Sequence, residues 1–397
     1  MKILCVNAGS SSLKYQVVDM PDEKVLVSGY IEKIGLEDSF WTTKVNGEKI
    51  KGKKYLKNHT EAVEVLFDEL INHKIVEDLE EIKGVGHRVL HGGEKYSESV
   101  IIDDEVIKSI EDLTKLGPLH HPGNLAGIKA IKERLKDVLN VAVFDTAFHQ
   151  TMQKDKYLYP VPYSWYEDYG VRKYGFHGTS HKYVTSKMKE ILNKDDVNLI
   201  ICHIGSGASI SCIKDGKCVD TTMGITPLAG LMMGTRSGDI DPSIIKYMVD
   251  EANMSVDEIT NALNKKSGLL GIAGSSDSRD VEHKIASGDE KAILAQTMYN
   301  DRIAKFIAEY FVELDGDVDG IVFTAGVGEN GIDVRGAVLN KIKSLGVIVD
   351  KDKNANIASY KDNQLGIITT DDSKIKSYVV PTNEELMIVK DTYELVK

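Results

Sequence analysis

Two stretches far apart in the chain share one design, and this duplication constrains the fold more than any other feature. In the first, the apolar run Ile3-Leu4-Cys5-Val6 enters the small turn Asn7 to Lys14 (NAGSSSLK) and leaves as Tyr15-Gln16-Val17-Val18. The second runs LIICHIGSGASISCI from Leu199, with Gly205-Ser206-Gly207 in the place of Gly9-Ser10. Apolar runs on both sides of a glycine turn read as two antiparallel strands. Successive backbone N–H groups in such a turn make a concavity suited to an anion. Asn7, Ser10 and Ser12 add side-chain donors and acceptors there, and Lys14 adds a positive charge, so a phosphate or a hydrated metal ion is the natural occupant. The repetition predicts one α/β unit duplicated, its two glycine turns facing each other across a cleft. A third glycine segment, GIVFTAGVGENG from Gly320 to Gly331, points to a nucleotide handled by its phosphates.

At 397 residues the chain has room for two domains of ordinary core size. A tyrosine-rich stretch from Met152 to Tyr169, with Pro160 and Pro162, reads as the crossing between residues 1–150 and 151–383. The final helix, 384–397, is long enough to pack back on the first domain. Smaller features are expected along the way: Thr60 capping a helix from His59 to Lys74, Asn124 capping one to Leu139, and Ser180 capping one from His181. Val347-Ile348-Val349 reads as a strand and GVGENG as a loop. A formal net charge of −12 disfavours nucleic-acid binding. No apolar run reaches the length of a membrane span, and the first residues carry no leader pattern, so neither nucleic acid nor membrane is an expected partner and the expected location is cytoplasmic. The four cysteines form no CxxC pair and read as buried thiols.

Several constellations carry chemistry. Arg88 ends a short buried strand before Gly92-Gly93, and Arg236 sits between Gly234 and Gly238. Both are placed where a ligand can approach the backbone, and a guanidinium fork suits carboxylate and phosphoryl oxygens alike. Asp145, at the exit of Val141-Ala142-Val143-Phe144, and Glu384 are acids of the kind that hold Mg²⁺ or orient a reactant near phosphates. His87/His91 and His177/His181 are spaced by four but lack the intervening Glu of a zinc protease, and His177 reads as a hydrogen-bonding or catalytic loop residue. GVGENG matches GxGxxG, with Asp350 at about the spacing of a dinucleotide site, so an NAD-dependent dehydrogenase is a rival reading. Too little chain follows to complete such a sheet unless earlier strands do so. No Walker A sequence and no protein-kinase set occurs.

The motifs NAGSSSLKY, GHRVLHGG, FDTAFHQTM, RKYGFHGTSHKYV, MGTRSGDIDP, FTAGVGENG and PTNEEL, in this order, closely resemble the acetokinase (acetate kinase) family over nearly the whole chain. The resemblance implies a duplicated actin-like, ribonuclease H-like ATPase fold with its active site in the cleft between the domains. It implies reversible transfer of the γ-phosphoryl group of ATP to acetate with Mg²⁺, or Mn²⁺ in its place, and a homodimer. Carried onto this chain, it makes Asn7 and Glu384 the metal neighbours and sets Asp145 beside the reacting carboxylate. Arg88 and Arg236 grip acetate and the phosphoryl in flight, and His177 bonds to that phosphoryl. His120 and His203 line the same cleft. Leu90, Leu119, Phe176 and Pro227 form the acyl pocket. The nucleotide is held by Lys14, Ser10 and Ser12, by His203, Gly205, Ser206 and Gly207, by Asp277, Ser278 and Arg279, and by Gly326, Val327, Gly328, Glu329 and Asn330. The chain departs from the family pattern at Ser206 and His121, each in place of Asn, at Ser278 in place of an apolar residue, and at Leu90 in place of Val. Within the family, propionate, butyrate or pyrophosphate use is the alternative. Outside it, the alternative is an actin-like ATPase without a carboxylate substrate.

Overall fold

The apolar run before the first glycine turn and the strands after it build an antiparallel meander, β1 (Lys2–Ala8), β2 (Ser12–Asp19), β3 (Lys24–Glu32), β4 (Phe40–Val45) and β5 (Glu48–Lys53). The remaining strands of this sheet are β6 (Ile82–Val89), β7 (Val100–Ile101) and β8 (Leu139–Phe144), in the order β5-β4-β3-β2-β1-β6-β8-β7. β6 runs parallel to β1 and β8 parallel to β6, because helices intervene between them. Helices α1 (His59–Asn72) and α3 (His121–Arg134), with α2 (Asp104–Asp112) between them in sequence, supply those crossings. Leu66, Phe67 and Leu70 of α1 and Ala130 and Ile131 of α3 close one core against Leu4, Val6, Leu13 and Val17. The C-terminal helix, Glu384–Val396, lies on the other face of β6, which offers Gly84 and Gly86. A Cβ on Gly86 would sit 2.2 Å from Thr392 Oγ1 and 2.6 Å from Ile388, so only glycine admits the helix at this distance.

These elements form one compact unit, Met1–Gln150 with Asn383–Lys397, and Thr151–Thr382 form a second. The computed structural model describes residues 1–118, 120–358 and 364–397. The second unit begins with α4 (Lys154–Tyr157), α5 (Ser164–Tyr169) and α6 (Gly178–Leu192), followed by β9 (Leu199–Ile204), β10 (Ala208–Lys214) and β11 (Lys217–Thr221). A helical stretch comes next: α7 (Ser243–Ala252), α8 (Val256–Lys265), α9 (Gly268–Ala273), α10 (Ser278–Ala286) and α11 (Glu290–Glu313). Then β12 (Gly320–Thr324) leads to α12 (Ala325–Asn330), α13 (Ile332–Lys341), α14 (Lys351–Asn356), β13 (Gly366–Ile367) and β14 (Ser377–Val379). The sheet order is β11-β10-β9-β12-β14-β13. Strand for strand, in chain order and in sense, this repeats β3-β2-β1-β6-β8-β7. The duplication read from the two glycine turns thus extends through all six strands of the second sheet and six of the eight of the first.

Several local expectations are corrected. GVGENG is not a loop: it is the body of α12, which starts directly after β12. Val347–Val349 forms no strand, only a bridge from Val349 to Thr369, and Asp350 caps α14 by accepting N–H bonds from Asp352 and Lys353. The strand-loop-acid geometry of a dinucleotide site is therefore missing, and the dehydrogenase reading falls. Asn58, rather than Thr60, caps α1 by accepting from Glu61 N–H. Asn124 lies inside α3 and Ser180 inside α6, which begins at Gly178 with His177 at its N-cap. For Asn124 and Ser180 the polar side chain has left the local backbone for partners distant in sequence, which propensity does not register. All four cysteines are buried free thiols.

His87 on β6 gives the first unit a pH-dependent element. It is buried and donates Nε2–H to Asn140 Oδ1 at 2.7 Å, and burial pushes its pKa from 6.5 down to about 4. Because the folded pKa is lowered, the unfolded chain takes up the proton first as the pH falls. The neutral-His contribution is then complete above about 6.5 and lost progressively toward about 4. The amount at stake is of order 3 kcal/mol. We expect the urea midpoint of the native chain to fall across this window and His87→Gln, which cannot protonate, to flatten the fall; equal slopes for the two proteins would contradict it.

Candidate functional site

In the first unit the turn after β1 is closed by Gly9 N–H on Ser12 O at 2.8 Å. It is held from behind by two side chains of remote helices: His59 Nε2–H donates to Gly9 O, and Asn124 Nδ2 to Ala8 O, each at 2.7 Å. Asn124 Oδ1 also accepts Leu90 N–H at 3.2 Å, tying the turn to the end of β6. Gly123 makes the approach possible, since a Cβ there would lie 2.4 Å from Gly9 O and 2.9 Å from Ser10 N. Ser10 and Lys14 remain exposed and Ser12 half-buried.

The parallel pairing of β6 and β8 brings Arg88 and Asp145 together. Arg88 Nη2 lies 2.6 Å from Asp145 Oδ2 and Nε 3.1 Å from each carboxylate oxygen. Asp145 is 1% exposed while the Arg88 side chain keeps 27% of its surface open, so the pair is buried on its acid side only, and the carboxylate raises the Arg88 pKa still further. Glu384 opens the C-terminal helix in the same field. Loss of water pushes its pKa up; the Arg88 charge opposes this, Asp145 and Glu385 add to it, and Lys14 opposes it again. Three acids therefore meet two cations, an excess of negative charge that a hard cation would relieve. Asn7, paired with Lys14 across the hairpin, and Glu384 offer oxygen donors for one. Among the described residues no group of three His, Cys, Asp or Glu side chains is arranged to hold a metal. A cation here would keep mostly water and substrate oxygens.

In the second unit the turn between β9 and β10 is closed by Gly205 N–H on Gly207 O at 3.0 Å, and the MGTRSGD segment is fastened to it by Gly234 N–H on Ser206 O at 3.2 Å. This brings Arg236 and His177 over Gly207. A Cβ at Gly207 would lie 3.3 Å from Arg236 Nη1 and 3.5 Å from the Cε1–Nε2 edge of His177. Arg236 Nη1 donates to Pro227 O at 3.1 Å and touches the Met233 sulfur at 3.7 Å. Among the described residues it meets no carboxylate, and burial pushes its pKa down. His177 takes a left-handed backbone, φ 58°, and stacks on His203 with ring centroids 4.1 Å apart. Ser180 Oγ, 2.8 Å from His203 Nδ1 and 2.7 Å from Thr382 Oγ1, holds that ring in turn.

Beside this turn opens a pocket of about 710 Å³. Of the predicted nucleotide residues, Gly205, Ser206, Asp277 and Ser278 line it, as do Arg279, Gly326, Val327 and Asn330. Arg279 forks onto Asp277 at 3.1 and 2.8 Å and holds its carboxyl down at about 2. Others do not line it. Gly207 lies under Arg236 and His177, and His203 is buried. Gly328 is packed against the backbone of Phe323 and Cys202. The Glu329 carboxylate turns back to accept Ala325 and Thr382 N–H at 2.9 and 3.1 Å, and burial raises its pKa. Ser10, Ser12 and Lys14 belong to the first unit, as do Leu90 and His120; Phe176 and Pro227 belong to the second, and Leu119 lies outside the described residues.

Sequence reasoning missed Leu269, Ser276 and Tyr299 on the pocket wall, along with the supports behind both turns. It also missed Arg335, fully buried, whose guanidinium donates to Asn354 Oδ1, to the carbonyls of Gly328 and Glu329 at the end of α12, and to those of Asn354 and Ile357 at 2.7–3.0 Å. It fixes the short helix that borders the pocket. A lone Arg in a helical pattern carries no sign of such a role.

Two sheets sharing one six-strand order, a glycine turn after the first strand of each, and a pocket of about 710 Å³ beside an Arg236 that meets no carboxylate among the described residues are the features of a phosphotransferase of the duplicated actin-like class. Within that class the chain belongs to the acetokinase family, whose pattern matches residues 2–390. It is 50% identical over 400 residues to the acetate kinase of Finegoldia magna, covering all of both chains. The crystal structure of Porphyromonas gingivalis acetate kinase superposes with a TM-score of 0.94 at 44% identity, covering 100% of each chain. A propionate kinase from Francisella tularensis follows with 0.92 at 42% identity, covering 99% of each chain. No described helix is long and apolar enough to cross a membrane.

The backing of the first turn is directly testable. Gly123→Ala drives a methyl into the Gly9 carbonyl, so the backbone around Ser10 must shift. A displacement near 1 Å in a reacting site costs about a hundredfold. We expect a folded Gly123→Ala protein with phosphotransfer reduced by about that factor; activity within about twofold of native would show that this turn plays no part in the reaction.

Proposed function

We propose that this chain transfers the γ-phosphoryl group of ATP to acetate, reversibly, giving acetyl phosphate and ADP by direct in-line displacement. The observation that carries the proposal is Arg236, a half-buried guanidinium with no carboxylate partner among the described residues, set beside His177 over the Gly207 turn. Such a cation is depressed in pKa by its surroundings until an anion arrives, which suits it to the charge of a phosphoryl in flight.

In the proposed reaction a carboxylate oxygen of acetate attacks the γ-phosphorus. The bond to the β,γ-bridging oxygen breaks, and ADP leaves with that electron pair. No proton needs to move and no covalent enzyme step is needed, so the chain contributes position and charge. We assign the nucleotide to the pocket of the second unit and the acceptor carboxylate to Arg88 of the first. There Asp145 holds the guanidinium in one orientation and lowers its net charge. Arg236 and His177 donate to the equatorial phosphoryl oxygens. Mg²⁺, with Mn²⁺ as substitute, is assigned to Asn7 and Glu384, where it would neutralise phosphate charge. The homodimer and the cytoplasmic location implied by the resemblance belong to the same proposal. A donor-and-acceptor matrix of ATP, GTP and pyrophosphate against acetate, propionate and butyrate, trapping acyl phosphate as hydroxamate, tests it; no trapped product with any acid would overturn it.

The two arginines differ in what their removal leaves behind. Arg236→Ala strands no acid, so we expect kcat to fall about a thousandfold or more with nucleotide binding and unfolding midpoint nearly unchanged. Arg88→Ala takes the bidentate partner from the buried Asp145 carboxylate, so kcat and about 3 kcal/mol of stability should go together. Stopped assays and denaturation of both variants check this; native turnover in Arg236→Ala would remove that residue from the mechanism.

Acyl selectivity is assigned to Leu90, which is 9% exposed and held through its backbone by Asn124. Trimming it opens room for about one methylene, worth about 0.8 kcal/mol or roughly fourfold. We expect acetate to be preferred by the native chain and Leu90→Ala to raise the propionate-to-acetate ratio of kcat/KM by about fourfold, chiefly through KM for propionate. If a folded variant kept the native ratio, Leu90 would be a sheet-packing residue only.

A further inference from the structure

Ser209 on β10 is fully buried, and its hydroxyl lies between two imidazoles, 2.9 Å from His177 Nδ1 and 2.8 Å from His181 Nε2. Strand pairing sets it there: Ser209 is opposite His203, the ring on which His177 stacks. His181 follows His177 by four residues at the start of α6, so both rings descend toward the same strand position.

A serine hydroxyl carries one proton. If Ser209 donates it to His177 Nδ1, the neutral His177 ring must carry its own proton on Nε2, and His181 must present Nε2–H to the same hydroxyl oxygen. In any other arrangement that keeps both bonds, His177 carries a proton on Nδ1. The two rings are thus coupled through one rotor.

The neighbourhood of the other edge of His177 decides between these states. That edge, Cε1–Nε2, lies over Gly207 beside Arg236, where the phosphoryl is assigned. Phosphoryl oxygens accept and do not donate, so a neutral ring helps only with its proton on Nε2. We infer that Ser209, backed by His181, is a positioning residue that holds His177 in the Nε2–H tautomer and so aims a donor at the transferring group. This rests on the phosphoryl-transfer reading above. Ser209 itself touches no substrate in it, and the step it supports moves no proton.

The test is long-range ¹H–¹⁵N correlation spectroscopy of the full chain labelled in its histidines, with His177 and His181 assigned by the signals lost in His177→Ala and His181→Ala. The expected result is Nε2–H for both rings in the native protein. Ser209→Ala should bring up the Nδ1–H form of His177 and lower kcat about tenfold to a hundredfold, a hundredfold being the low end of what losing a whole donor costs at such a site. KM for ATP and acetate should change less than about threefold. Ser209→Thr, which retains the hydroxyl, should restore the tautomer and part of kcat. An Nδ1–H signal for His177 in the native protein overturns the inference, as does a Ser209→Ala protein with unchanged tautomer and kcat. Should Ser209→Ala not fold, the native spectrum decides alone. Because that spectrum needs no turnover, failure of the phosphotransfer reading would register separately, in the acyl phosphate assay.

Discussion

Both candidate sites depend on one constraint: a glycine turn whose backbone is held in place by groups from elsewhere in the chain that take its carbonyls. In the first unit the carbonyls of Ala8 and Gly9 are taken by Asn124 and His59. In the second, the Ser206 carbonyl is taken by Gly234 N–H. A glycine turn left to itself is mobile, because glycine restricts φ and ψ so little. Fixing it takes hydrogen bonds from elements elsewhere in the chain, and the bond to Ala8 also keeps a buried carbonyl satisfied. The crossing helices of the first unit thus serve the turn as well as the core, which is why α3 carries an Asn and a Gly in its first turn.

The two arginines illustrate opposite uses of burial. Arg88 and Asp145 form a bidentate pair in which the buried carboxylate depends on the half-buried guanidinium for its charge balance. That pairing gives a fixed direction to the remaining guanidinium N–H groups. Arg236 meets carbonyl oxygen and sulfur instead, and keeps a full charge in surroundings that disfavour it. The first arrangement trades charge for geometry; the second keeps charge available for an anion. A phosphoryl acceptor and a phosphoryl in flight call for these two properties respectively.

Much of the architecture was legible because it is written in local patterns. The paired apolar runs around Gly9 and around Gly205 announced two hairpins, and the structure extends their likeness to six matching strands in each sheet. Gly205 and Ser206 were legible through the repeated hairpin and Gly326, Val327 and Asn330 through FTAGVGENG, and all five line the pocket. What failed did so for one reason. Asn124, Ser180 and Thr60 sit where propensity predicts caps, yet the first two spend their hydrogen bonds on Ala8 and Leu90, and on His203 and Thr382, while Asn58 caps α1. GVGENG reads as a loop because of its glycines, but buried Arg335, bonding the carbonyls of Gly328 and Glu329, holds it as a helix.

The sequence by itself determined the strand pattern, the places where backbone bulk is removed, and the family. These follow from side-chain periodicity, from glycine's missing Cβ and from long ordered motifs, all of which are properties of neighbours in the chain. Only the tertiary structure decided which polar groups meet: Arg88 with Asp145, His177 with Ser209, Asn124 with Ala8 and Leu90. Hydrogen bonds and ion pairs act over a few ångströms in space and leave no period in the sequence. Their partners are chosen by how the strands pair and where the helices return, and the chemistry of the sites is settled at that level.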